Sequence, residues 1–202
     1  ELMASQVDIV NHALTKLGEA RIQDMNEDSK AAEEASAVWD LILESELSAN
    51  NWKFATRRAS IPASATPPAF GYERAFPVPA DFLALTYVEG QGTQDTSDYR
   101  GATLSAYVIE AGEILTDLPA PLQIIYTARV ADPDRWDPGF RNAFAIKLAQ
   151  ALCYTLTPLR EGREQLLFRE YQMAVETAKQ RSAIQSPPQF PQDSTWFAER
   201  EI

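Results

Sequence analysis

The side chains able to do acid–base, nucleophilic or metal chemistry in this 202-residue chain are few and scattered. His12 is the only histidine, and it falls opposite the Val10 and Leu14 face of a helical pattern, where it reads as a solvated surface group. A hydrolytic triad needs its base beside a nucleophile and an orienting carboxylate, and the sequence offers no second candidate base. Cys153 is the only cysteine, which excludes an internal disulfide and a thiolate metal cluster. It sits in an apolar helical pattern and reads as an inert buried thiol. Glu33-Glu34 and Asp132/Asp134/Asp137 have the residue types of an acid/base pair or a cation site. On a chain of net charge −11 they read instead as solvated faces and helix-start charges. Gly90-x-Gly92 lacks the further glycine and following helix that a phosphate cradle needs. No catalytic residue, metal ligand or cofactor is assigned, and the chain reads as a non-enzyme.

The remaining distinctive side chains are those of recognition. Arg57-Arg58 invites a nucleic-acid reading, but a protein that grips phosphates needs a net basic surface. Two arginines beside 29 acids are better read as ion-pair partners for an acidic face. Trp52 and Phe54 read either as core or as a contact between copies. Trp196, Phe197 and Arg200 follow a proline-containing stretch with no local core to bury them, so they point to docking on a partner.

Periodicity supplies the elements that must position these residues. Ser5–Leu17 predicts a first helix, with a capping-box-like Ser5/Asp8 start, Val7, Val10, Leu14 and Leu17 on one face, and Gly18 to end it. Ser29–Asn50 predicts a long second helix with Ala31, Ala35, Val38, Trp39, Ile42, Leu43 and Leu47 inward. The stretch 50–82 carries five prolines and reads as an apolar hinge that ends helical structure. Beyond it the period shortens: Phe82–Glu89, Leu104–Ile109, Glu113–Leu118 and Leu122–Val130 predict strands, with Glu110-Ala111-Gly112 as a hairpin connection. Gly90–Ala102 reads as a long polar loop. Asp137-Pro138 starts a third helix that is apolar on most of its circumference, and 162–184 predicts a fourth with Leu167, Tyr171, Ala174, Val175 and Ala178 inward.

The expected fold is mainly α with β: an antiparallel four-helix bundle carrying an inserted small antiparallel sheet or barrel, with an extended C-terminal arm. The expected domains are a helical unit of residues 1–50 and 134–184, a β-rich insertion of residues 51–133, and an arm of residues 185–202. No apolar run reaches the roughly 18 residues of a membrane span. No export signal is visible at Glu1-Leu2-Met3-Ala4, so synthesis in a cytoplasm is expected.

Several short motifs in order carry a resemblance. They are Asn11-x-Ala13-Leu14-x-x-Leu17-Gly18, Trp52-Lys53-Phe54-Ala55, Pro67-Pro68-x-Phe70-Gly71-Tyr72, Pro79-Ala80-Asp81, a strand with Tyr126, Asp137-Pro138-x-Phe140, and Ser194-x-Trp196 with Arg200. Together they resemble the podovirus tail tubular protein A family, the head-to-tail adaptor of short-tailed phages. The departures, Val78 where the family has leucine and Phe82 where it has a small residue, bear on packing.

The resemblance implies a ring of about twelve copies beneath the portal protein, continuing the DNA channel toward the tail nozzle protein. It places the protein in the virion at the head–tail junction, and in the host cytoplasm during assembly, with no membrane. Twelve copies at −11 each carry about −132, so genomic DNA would pass without specific binding. Arm residues Pro187, Pro188, Trp196, Phe197 and Arg200 are then the expected portal contacts. Trp52, Phe54, Arg57 and Asp81 are the expected seat of the β insertion or of a neighbouring subunit. Two alternatives stand beside this one: a head-completion connector of a long-tailed phage, and a virion-associated glycan hydrolase using acidic residues.

Overall fold

Capping chemistry sets the first helix, α1 (Gln6–Leu17). The Ser5 hydroxyl accepts from the Asp8 amide at 3.1 Å, and the Asp8 carboxylate accepts from the Ser5 amide at 2.9 Å, which satisfies two otherwise orphaned donors. Gly18 ends the helix at φ 75°, a left-handed geometry that a side chain would strain. A computed structural model describes residues 5–90, 107–157 and 162–184. Ser29 caps α2 (Lys30–Ser48), and Asp137-Pro138 opens α3 (Pro138–Leu156). The last helix is α4 (Arg163–Ile184). The Asn11 side-chain amide brackets the backbone of Ile22 through two bonds of 2.9 and 2.8 Å, fixing the connection from α1 to α2.

The expected four-helix antiparallel bundle with one inserted sheet is not what forms. α1, α2 and α4 each pack chiefly on α3. The reason lies in α3 itself: Phe140, Ala143, Phe144, Ala145, Ile146, Leu148, Ala149, Leu152 and Cys153 are all buried and occupy almost every side of it. A rod that is apolar all round can serve several amphipathic neighbours at once, so those neighbours need not close a ring with each other.

The β-structure also differs from the expectation of one small sheet or barrel. β1 (Thr56–Ile61), β6 (Leu122–Ala128) and β3 (Phe82–Val88) form one antiparallel sheet in that order. β2 (Arg74–Pro77), β5 (Glu113–Thr116) and β4 (Tyr107–Glu110) form a second. The proline-rich stretch expected to be only a hinge therefore contributes two strands, β1 and β2. Ala111 and Gly112, both at positive φ, make the tight turn between β4 and β5. Ile61, Phe76, Val88, Ile114, Leu122, Ile124, Tyr126 and Ala128 give the sheets a core of their own, separate from the helical core. Most of the polar loop at 90–102, the first residues of the strand expected from Leu104, and the arm at 185–202 lie outside the described residues.

α3 and α4 meet closely at Gly139, where an added Cβ would lie 3.0 Å from the Ala178 Cβ and 3.2 Å from its Cα. Gly139→Val is expected to lower stability by about 1–3 kcal/mol through overpacking. Urea denaturation checks this: the midpoint should fall while the slope is unchanged.

Candidate functional site

The chain leaves the helices after α2 and returns to them before α3, and a tryptophan pins each crossing. The Trp52 indole donates to the Glu46 carbonyl at 2.9 Å, and the Trp136 indole donates to the Val130 carbonyl at 2.7 Å. Both rings meet Phe140 edge-on, with centroids 5.0 and 5.1 Å away. Phe54 lies 5.0 Å from the same ring, and Trp136 also stacks on Trp39 at 6.0 Å. Trp52 is 1% exposed, so its surface is spent on this knot. Trp136 was not singled out by sequence; the available signal was an aromatic directly ahead of the Asp137-Pro138 helix start.

Arg57 and Asp81, expected to share an interface, are brought together. β1 pairs with β6 so that Arg57 faces Tyr126, and β3 places Leu85 on the other side of Tyr126. Asp81, one residue ahead of β3, accepts from the Arg57 guanidinium and from the Tyr126 hydroxyl, the latter at 3.0 Å. Its backbone carbonyl accepts from the Arg129 amide at 2.7 Å. Arg129 in turn reaches α2, donating to Asp40 at 2.6 Å and Glu44 at 3.0 Å. One aspartate thus links three strands, and the arginine beside it ties them to a helix. Burial and the adjoining Asp81 carboxylate push the Tyr126 phenol above its ordinary value.

A second polar cluster lies inside the helical layer. Glu46 is 4% exposed, accepts from the Tyr171 hydroxyl at 2.5 Å and has the Lys147 ammonium 3.8 Å away. The same ammonium stands 4.9 Å over the Tyr171 ring, a cation–π arrangement. Burial first, then the hydrogen bond and charge of Glu46, hold the Tyr171 phenol protonated well above the usual range.

The other sequence candidates are dispersed. His12 is exposed, with its pKa lowered by partial desolvation and by Lys16, against an opposing pull from Glu170. Cys153 is buried. Asp132 caps a short 3₁₀ turn by accepting from the Asp134 amide at 3.1 Å, and Glu33 sits in the first turn of α2. Arg58 lies on the outward side of the first sheet beside Tyr87 and Gln123. Among the described residues no group of three His, Cys, Asp or Glu is placed to hold a metal ion. The expected portal contacts Pro187, Pro188, Trp196, Phe197 and Arg200 lie outside the described residues. Comparison with known proteins gives no match, either to a family model or to a curated protein.

Two outcomes follow from these clusters. Asp81→Ala removes the acceptor of the Tyr126 hydroxyl, on a residue only 4% exposed, at an expected cost of about 1–3 kcal/mol. Combining it with Tyr126→Phe should cost less than the sum of the two, and strict additivity in urea denaturation would contradict the linkage. For pH, a phenol raised on folding stabilises the native state below its unfolded value of about 10, and that stability is lost as pH rises through the folded value. Alkaline unfolding should therefore set in above about pH 10, and Tyr171→Phe should flatten that arm of the pH–stability curve.

Proposed function

We propose that this chain is a structural head-to-tail adaptor of a short-tailed phage, forming a ring between the portal and the tail nozzle through which DNA passes. One observation carries the reading: several of the motif residues that resemble the tail tubular protein A family, Asn11, Trp52, Phe54, Asp81, Tyr126 and Phe140, serve construction. Trp52, Phe54 and Phe140 form the aromatic knot between helices and sheets, and Asp81 and Tyr126 form the link across the first sheet. Asn11 fixes the turn between α1 and α2. A protein whose distinctive residues are spent on a rigid joint suits a role of holding neighbours in register.

In this role the helical layer packs side by side around the ring, with head-to-tail contacts that close under cyclic symmetry. The strongly acidic composition keeps a passing polyanion mobile. Membrane partners are not invoked, and among the described residues no helix is long and apolar enough to cross a membrane. Arm residues Trp196, Phe197 and Arg200 supply the contact with the portal, and Arg57 and Asp81 stiffen the body they extend from.

The test is assembly. Electron microscopy of the protein mixed with its portal ring should show a second ring attached, and removal of residues 185–202 should leave a folded chain, by circular dichroism, that no longer attaches. Failure of the full chain to attach would end the adaptor reading; attachment by the truncated chain would remove the arm from it.

A further inference from the structure

A cleft of about 580 Å³ is lined by residues of α2, α3 and α4. Ile42, Ala151, Tyr154 and Phe168 line it together with Lys147, Glu164 and Arg169. Its size falls within the range of about 300–1,000 Å³ typical of formed binding pockets. Tyr154 is 50% exposed and Phe168 54% exposed. Half-uncovered rings on both sides of a cleft are apolar surface that a further segment can cover. The Tyr154 hydroxyl donates to Glu164 across one end. Among the described residues no carboxylate pairs with Arg169.

We propose that this cleft seats the chain's own C-terminal segment, with Trp196 and Phe197 filling it. Reach and charge both fit. Phe168 lies sixteen residues back along α4 from Ile184, about 24 Å at the helical rise. Trp196 follows Ile184 by twelve residues, which extend to about 40 Å, so the segment can turn back along its own helix and arrive with length to spare. Beyond the two aromatics come Glu199, Arg200 and Glu201. That order offers carboxylates to Arg169 and Lys147, and a guanidinium to Glu164 at the Tyr154 end. The seat covers the segment's rings and the cleft's rings together, and a partner that takes Trp196 and Phe197 must first displace them. This goes beyond the adaptor reading and does not rest on it, since the isolated chain suffices to test it.

The tryptophans provide the measurement. Trp39, Trp52 and Trp136 are 4%, 1% and 2% exposed, so collisional quenching of indole emission by iodide reports chiefly on Trp196, with Trp196→Phe as the baseline. In the full chain Trp196 should be protected. The double variant Phe168→Ser/Arg169→Glu, altered only at exposed positions, should raise the quenching constant severalfold while circular dichroism is unchanged. Lys179→Glu, outside the cleft, should leave it as in the parent. Equal quenching of the parent and the double variant would overturn the proposal. Protection that disappears on dilution of the parent would also overturn it, since the seated segment would then come from another copy.

Discussion

Phe140 is the point on which the two halves of the molecule depend. The chain crosses from helices to sheets once in each direction, and Trp52 and Trp136 hold those crossings by packing edge-on against this one ring. Edge-to-face pairs at about 5 Å add roughly 0.5–1.5 kcal/mol each beyond the area they bury, and each indole N–H is satisfied by a backbone carbonyl six residues earlier. The knot is therefore directional as well as apolar. It holds the chain just before the first strand of the excursion and just after the last, where β1 and β6 meet in register.

That register is what gives Asp81 its partners. Once β1 lies against β6, Arg57 and Tyr126 are opposite one another, and a carboxylate at the head of β3 can serve both. The exposed part of this cluster contributes little by itself, since a guanidinium near the surface is well solvated without a partner. The hydroxyl of Tyr126 matters more, because it is buried and would otherwise lose its hydrogen bond. Arg129 extends the same chain of contacts to Asp40 and Glu44 on α2. The sheet is thus tied to the helices at two places, by aromatic packing at the knot and by charge along α2.

The polar chemistry of the molecule is consistent in kind. Glu46, Asp81 and Asp132 each accept bonds that organise neighbouring elements. The buried cluster of Glu46, Tyr171 and Lys147 joins α2, α4 and α3. These polar bonds tie helices and strands together alongside the apolar packing.

Much of the local structure was legible from the residues alone. Ser5 with Asp8, Gly18, Ser29, Asp137-Pro138 and the Ala111-Gly112 turn act through neighbours a few positions away, so their consequences could be read in order along the chain. The apolar faces of the helices were legible too, because the period of 3.6 shows which side is buried. It does not show against what. The arrangement of three helices on α3 depends on a rod apolar all round, whose choice of neighbours is made only when the others compete for its sides. β1 and β2 escaped notice because Thr56–Ile61 and Arg74–Pro77 carry little strand pattern and become strands by pairing with β6 and β5, some forty or more residues later. The same kind of separation hides the meeting of Arg57 and Tyr126 on Asp81 and of Trp52 and Trp136 on Phe140: the side chains are evident from the sequence, and only closure of the chain over those distances decides which of them touch.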